Sequence, residues 1–356
     1  MLKYIMLLLI TAILAMATLS PPITARAVNI FSVTPELPEN QNVESVGSFN
    51  LDVKAGQTQE IEVLVANHYN DSITVEVSLI NPGTSRNGVI DFSQAGNMDT
   101  TLNISFYDIA HLKVDPYITI PAGGTARVPI ALQIPENGFD GVLFGAIRVL
   151  LGTSEEEMAQ AGQPVESFEQ VIPVRLFQDR NIVIAPEFKL GGIEFGLIAG
   201  VAAIEVNIRN PEPRFSMGTI VSAQIFSTDS DAPIFTITDL EVDFAPHSVY
   251  SLTLLDNAGF GILAGEYIAN VQVGFDGQIW KFEQGFHITP ADADTVNSNA
   301  INQQVPPQQL LGGTMLSSII LWLISIAAGI TIILCIVIIV LVKAKRHSYP
   351  FRKELT

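Results

Sequence analysis

The feature that most restricts this chain is a long succession of short runs in which apolar and polar residues alternate. Phe49-Asn50-Leu51-Asp52-Val53 is one, Glu60 to Val65 another, and Ile73 to Leu79 reads I-T-V-E-V-S-L. A period of two built on β-branched residues marks a half-buried strand. Turn signals separate the runs at Ala55-Gly56, Asn70-Asp71, Asn81-Pro82-Gly83, Asn87-Gly88 and Ala122-Gly123-Gly124. Short strands punctuated in this way predict β-sandwiches. No amphipathic helix of three turns is legible before residue 294, and Glu155 to Ala161 fits one short turn of helix.

The runs fall into two similar units, as a chain of 356 residues leads one to expect. The first has Gly47 to Val53, Ile61 to Ala66, Ile118-Thr119-Ile120, a Pro-Ala-Gly-Gly turn and Ala126 to Ile134. The second has Val201 to Ile208, Thr219 to Phe226, Ile234 to Thr238, the turn Ala245-Pro246-His247, Tyr250 to Leu255, Gly265 to Phe275 and Trp280 to Ile288. Asp276-Gly277 between two apolar runs is a hairpin signal. The expected fold class is all-β, with two tandem immunoglobulin-like β-sandwich domains over 28–153 and 167–290 and one C-terminal transmembrane helix. The acidic, Gly- and Pro-containing stretch 154–166 reads as a linker. The polar stretch 291–316, rich in Asn and Gln, reads as a flexible stalk.

Both ends are strongly apolar. Lys3 followed by an apolar run to Leu19, with Ala25-Arg26-Ala27 as a small-x-small site, reads as a signal peptide over 1–27. The alternative is an uncleaved anchor helix, which Ser20-Pro21-Pro22 disfavours. No charged residue occurs between Asp294 and Lys343, and Ile319 to Val342 is long enough for the hydrocarbon core. The membrane span is placed at 317–342. The basic tail 343–356, with Lys343, Lys345, Arg346, Arg352 and Lys353, is then cytoplasmic by the positive-inside rule, and the body is extracellular. The single cysteine, Cys335, lies in that span, so the body carries no disulfide. A Cys-free exported body favours a bacterial surface protein.

Charge excludes one class outright. Residues 28–315 carry −24 and the whole chain −18. Nucleic-acid binding needs a basic footprint. With 48% hydrophobic and 15% charged residues the chain is not disordered either. Catalytic signatures are missing: there is no G-x-S-x-G and no H-E-x-x-H, and His68, His111, His247, His287 and His347 lack metal-ligand spacing. Asp229-Ser230-Asp231 and Asp292-Ala293-Asp294 lack the arrangement of a dedicated calcium loop. No cofactor, metal or catalytic residue is assigned. Gly88, Gly141 and Gly265 suit turns, Tyr267 a sandwich corner, and Phe139, Trp280 and Phe282 the core. Glu39, Asn40 and Gln41 are different: three polar side chains beside Pro38, ahead of the first regular run, suit hydrogen bonding to a glycan or peptide.

These segments resemble a known family. The sequence is similar to WxL-interacting proteins of low-GC Gram-positive bacteria. Phe31 to Gln41 matches the family opening F-x-V-x-P-x-L-P-E-N-Q. Gly47 to Leu51 resembles G-Y-F-D-L, with Ser48 in place of the aromatic. Asn87 to Phe92 resembles N-G-V-I-D-Y, and Phe139 to Arg148 resembles F-D-G-x-x-x-G-G-I-R, with Ala146 for the second Gly. In the second half Asn210-Pro211, Ala245-Pro246-His247-Ser248, Ala264-Gly265-Glu266-Tyr267 and the closing Trp280-Lys281-Phe282 to Thr289 match more loosely. The resemblance implies a peptidoglycan-binding β-domain, a host-binding β-domain and no enzymatic activity. Its implied partners are peptidoglycan, WxL-domain surface proteins and host extracellular matrix proteins, with membrane lipid met by the span. Glu39, Asn40, Gln41 and Asp140 are the candidate binding residues. The alternative function is a cell-wall-modifying enzyme with β-sandwich accessory domains; a signalling receptor ranks last, because the tail is too short for a folded domain.

Overall fold

The structure, a computed structural model, describes residues 30–300 apart from 43–44, 94–95, 153–167 and 256–260. The expected leader 1–27, linker 154–166, membrane span 317–342 and basic tail 343–356 lie outside the described residues, as do the short helical turn at 155–161 and stalk residues 301–316. Among the described residues no helix is long and apolar enough to cross a membrane. The described body is all-β.

The first sandwich has two sheets. One has the order β1-β3-β9-β7, formed by Phe31–Glu36, Thr58–Asn67, Thr125–Gln133 and Ala110–Leu112. The other has the order β2-β11-β10-β4-β8, formed by Phe49–Asp52, Glu169–Phe177, Val142–Leu151, Ile73–Ile80 and Tyr117–Ile120. Alternation does the sorting: in β3 the buried positions are Ile61, Val63, Val65 and Asn67, every second residue. Phe31, Val63, Val65 and Val128 of one sheet join Leu51, Val75, Ile147 and Val174 of the other in one core cluster. A short hairpin, β5 (Gly83–Thr84) with β6 (Ile90–Asp91), and a one-turn helix, α1 (Phe106–Ile109), lie on the excursion from β4 to β7. Ser105 and Asp108 form a capping box at the start of α1. Phe106 explains Gly145: a Cβ there would lie 2.0 Å from the ring.

The second sandwich has the orders β12-β13-β16 and β15-β14-β17-β18. Its strands are β12 (Lys189–Ile198), β13 (Val201–Asn210), β14 (Ser216–Ser227), β15 (Pro233–Phe244), β16 (Ser248–Leu255), β17 (Gly265–Phe275) and β18 (Gln278–Ile288). Phe188 gathers Phe244, Phe275 and Trp280 around itself edge-on, with ring centroids 5.0, 6.3 and 5.1 Å away. Phe139, Trp280 and Phe282, expected in the cores, are only half-buried and close their margins.

Three features depart from the sequence reading. Residues 169–177 were expected in the second domain, yet β11 pairs with β10 antiparallel and with β2 in parallel, completing the first sandwich. Alternation identifies a strand but not its neighbours. Residues 31–36, read as part of a pre-strand motif, are β1. The start of the expected stalk is helical: α2 covers Pro290–Asn299. Thr289 accepts from the Asp292 N–H at 3.2 Å and Pro290 occupies the first turn, a start signal that the polar composition masks.

Contacts divide the chain into two compact units. One takes the chain to Glu194, Glu205–Leu254 and Gly265–His287, and so holds the first sandwich and most strands of the second. The other takes Phe195–Ile204, Leu255–Ala264 and the chain from Ile288. In the latter Ala202, Ala203, Ile204, Ile262, Ile288, Ala293 and Val296 are buried. Asn297 fastens α2 there, accepting from the Ile262 N–H at 2.9 Å and donating to its carbonyl at 2.8 Å.

The two sandwiches repeat one device. Asn67 ends β3, donates to the carbonyls of Asp71, Ile120 and Pro121 at 2.8–3.1 Å, and accepts from the Tyr69 N–H. Asn210 ends β13, donates to the carbonyls of Arg214 and Ala245 at 2.9 and 2.8 Å, and accepts from the Glu212 N–H. Each buried amide ties a strand end to the Pro-Ala-Gly-Gly or Ala-Pro-His-Ser turn. Truncation strands several buried carbonyls at a cost of about 1–3 kcal/mol each. Asn210→Ala is expected to lower unfolding stability by about 2–4 kcal/mol, read by urea denaturation. A loss below 1 kcal/mol would show that the amide is dispensable.

Candidate functional site

The Pro-Glu-Asn-Gln run lies where the chain leaves β1 in one sheet and enters β2 in the other. Part of this crossing pairs with β2 through the Gln41–Leu51 bridge, with Asn42 N–H to Asn50 O at 2.8 Å and Asp52 N–H to Asn40 O at 3.0 Å, and the remaining polar groups need other partners. Gln41 supplies them: it accepts from the Asn50 N–H at 3.0 Å and donates to the carbonyls of Ser45 and Ser48 at 2.7 and 3.0 Å. Asn40 donates to the Asp52 carbonyl of β2 at 2.8 Å and to Gln59 Oε1 of β3 at 2.9 Å, and accepts from Gln59 Nε2 at 2.9 Å. The Asn40 amide thus stitches the two sheets together, and the Gln41 amide is consumed by its own loop. Glu39 is exposed and makes no hydrogen bond or ion pair with a described residue.

An open pocket of about 500 Å³ lies beside this crossing, lined by Asn40, Asp52, Lys54, Ala55, Gly56 and Gln57. The Lys54-Ala55-Gly56-Gln57 turn forms its wall, closed by Gln57 N–H to Lys54 O at 3.0 Å. Gln57 Oε1 accepts from the Lys54 backbone N–H at 2.8 Å, and the Lys54 side chain is exposed with no carboxylate within ion-pair distance among the described residues. Asp52 is ion-paired to Arg180, whose guanidinium also donates to Asn50 Oδ1 at 2.9 Å and lies 3.9 Å over the Phe177 ring. A cation, a carboxylate and two amides around one depression suit a ligand that is itself rich in amides, hydroxyls and carboxylates.

The remaining motif residues gather elsewhere, at the joint between the sandwiches. Gly141 has φ +63°, and a Cβ on it would lie 2.3 Å from the Pro213 carbonyl. The same carbonyl accepts from the Val142 N–H at 2.9 Å. Only glycine allows the Phe-Asp-Gly turn to lie this close to the Asn-Pro-Glu-Pro turn. Asp140 is exposed beside it, on the rim of a cavity of about 30 Å³ also lined by Pro213, Pro246 and His247. The Asn87-Gly88 turn docks through Asp243 N–H to Gly88 O at 2.7 Å, and Thr84 Oγ1 meets Ser248 Oγ at 2.8 Å.

Asp99, which no motif marked, stands at the centre of this joint with its side chain wholly buried. Arg209 grips it twice, Nε to Oδ2 at 2.5 Å and Nη2 to Oδ1 at 2.9 Å. The Thr101 N–H adds a third bond at 2.9 Å. Thr101 Oγ1 lies 2.8 Å from both Asp99 Oδ1 and the Pro211 carbonyl and 2.9 Å from His247 Nδ1. The backbone of His247 accepts from the Asp99 N–H at 2.7 Å. The 110 residues between Asp99 and Arg209 explain why no local pattern announces the pair.

Two family models match the chain end to end along its body. The WxL Interacting Protein peptidoglycan-binding domain matches residues 31–150, and the host-binding domain of the same proteins matches residues 162–298. The chain belongs to the WxL-interacting protein family. Among curated proteins none matches. Among solved structures, the Escherichia coli chaperone DraB is 11% identical over 73% of this chain and 97% of that one, with a TM-score of 0.27. A chain of the Salmonella enterica SafA pilin–SafB chaperone complex is 15% identical over 74% and 98%, with a TM-score of 0.28. The PapD-like domain 7 of human CEP192 is 13% identical over 45% and 93%, with a TM-score of 0.28. In this WxL-interacting protein the sheet crossing and the pocket fall within the peptidoglycan-binding match, and Arg209 and His247 within the host-binding match.

The joint is sensitive to protons in a defined direction. Burial pushes His247 below its ordinary value of 6.5, against the pull of the Pro211 carbonyl and the Asp99 charge. Burial pushes the Asp99 carboxyl up, but hydrogen bonds from Arg209 and Thr101 outweigh it and hold the group below 3.8. A histidine depressed in the fold contributes stability that is full above 6.5 and declines as the pH falls through that value, since the unfolded chain then binds the proton. Asp99 contributes above 3.8, and its share is lost as the pH falls through the lower folded value. Melting temperature is therefore expected to fall between pH 7 and pH 5, and less steeply in His247→Asn, which tolerates the φ of +47° at this turn. Equal slopes in the two proteins would remove His247 from the account.

Proposed function

We propose that this protein is a non-enzymatic, membrane-anchored surface protein that binds peptidoglycan with its first sandwich and scaffolds WxL-domain proteins. Host extracellular matrix is a further partner of the second sandwich. The observation that carries the reading is the open polar pocket of Asn40, Asp52, Lys54 and Gln57 within the segment matched by the peptidoglycan-binding model. Peptidoglycan offers N-acetyl amides, hydroxyls and stem-peptide carboxylates, which these side chains complement. Lys54 takes a stem-peptide carboxylate; Asn40, its amide held by Gln59 and the Asp52 carbonyl, shapes the pocket wall; Glu39 and Asp140 are exposed carboxylates available to sugar hydroxyls. The span 317–342 holds the body on the outer face of the membrane, with the basic tail against anionic lipid inside. A body carrying −24 stands off an anionic wall and is held there by specific contacts.

Co-sedimentation with purified Gram-positive peptidoglycan tests the reading. The wild-type chain is expected to pellet, and Lys54→Glu to lower its affinity about tenfold or more, the equivalent of one charge-assisted hydrogen bond of about 1.5–3 kcal/mol. Lys54 is exposed, so the variant keeps the fold. Undiminished pelleting of Lys54→Glu would move the wall site elsewhere. Failure of the wild type to pellet would remove the wall-binding role.

A further inference from the structure

The chain between β11 and β12 is an exposed segment that belongs to neither sheet. Asn181-Ile182-Val183-Ile184-Ala185-Pro186 joins no ladder. Its sequence is nevertheless that of a strand, apolar and β-branched. Val183 is 92% exposed and Ile182 43%. The backbone groups of Ile182, Val183 and Ala185 bond to no described residue. An uncharged apolar strand with open N–H and C=O groups is a template for pairing with another chain, and folded proteins normally cover or charge such a segment.

This segment also borders a groove of about 370 Å³, with Val142, Phe177, Phe215 and the side of Ile184 as apolar wall. Three charges lie in it: Asp179, Arg180 and Arg214. Asp179 accepts from the backbone N–H and side-chain amide of Asn181, and Arg180 is committed to Asp52. Arg214 is the one without an ion pair to a described residue. Its guanidinium donates to the Ile184 carbonyl at 2.7 Å and to the Phe215 carbonyl at 3.3 Å, and lies 5.2 Å from the Phe275 ring centroid. No carboxylate among the described residues comes within ion-pair distance of it, although Glu212 is near enough to feel its charge. In a body of net charge −24, a guanidinium without an ion-pair partner beside an open strand selects a carboxylate.

We infer that residues 181–186 dock an extended polypeptide of a partner protein by strand addition, with a carboxylate of that polypeptide on Arg214. The main chain of the segment supplies affinity, the groove takes alternate apolar side chains, and Arg214 fixes the register. The inference deepens the scaffold reading and rests on it, naming the surface by which a protein partner is held.

The test uses the full-length chain in detergent and a fluorescein-labelled decapeptide of alternating Val and Thr with a free C-terminal carboxylate. Anisotropy is expected to report saturable binding, at least tenfold weaker for the C-terminal amide. Val183→Pro deletes an N–H that bonds to no described residue, and is expected to weaken binding tenfold or more. Arg214→Lys keeps the charge but loses the fork, and is expected to fall between wild type and Arg214→Ala. Equal binding of the acid and the amide, or of wild type and Val183→Pro, overturns the assignment, as does no binding of either peptide. A WxL-domain protein run in parallel separates the two readings: capture by wild type and Val183→Pro alike sinks the groove but keeps the scaffold, and capture by neither sinks the scaffold as well.

Discussion

The buried pair of Asp99 and Arg209 is the interaction on which the arrangement of the two sandwiches depends. A carboxylate with a fully buried side chain loses its hydration, a penalty of several kcal/mol. It is tolerated only because Arg209 donates twice, the Thr101 N–H once, and the Thr101 hydroxyl lies at bonding distance. A hydrophobic pair would hold as well without that geometry. What the ion pair adds is direction, because a forked guanidinium meets a carboxylate in one plane. Around it the Gly141–Pro213 approach, the Thr84–Ser248 contact and the Gly88–Asp243 bond repeat the same alignment. The first sandwich and the Arg209–His247 turns therefore form one compact body.

That constraint reassigns the motif residues. The sequence reads the Phe-Asp-Gly, Asn-Gly-Val-Ile-Asp and Asn-Pro segments as turns, with Asp140 alone among them a candidate for binding. In the structure their glycines, carbonyls and amides are spent holding turns against each other. The same is true of Gln41, whose three bonds close the loop that carries the chain between sheets. A residue type suited to binding a glycan is equally suited to satisfying an irregular backbone. The side chains left with unused capacity are their neighbours: Lys54 at the pocket and Arg214 at the groove.

Much of the fold was legible. Alternation placed β3, β4, β9, β13, β16 and β17 within a few residues, since each strand has one buried face and the pattern records it. Partners were not legible. Residues 169–177 alternate as well for one sandwich as for the other, and only the pairing of Val174 with Gly145 and Phe49 assigns them. The helix at 290–299 was hidden by its composition, although Thr289, Pro290 and Asp292 mark its start. Of the site, Glu39, Asn40 and Gln41 drew attention as polar residues ahead of the first run, but the crossing they serve joins segments far apart in sequence. Asp99 left no trace, because Arg209 and His247, which it meets in the fold, are a hundred residues and more away.

The two open surfaces share a physical logic. Each adjoins a place where regular structure ends: the pocket at the passage from β1 to β2, the groove at the passage from β11 to β12. Regular strands satisfy their backbone within the sheet, so unpaired groups collect at such passages. Each also adjoins Arg180, which pins Asp52 at the pocket and lines the groove, with its guanidinium over Phe177.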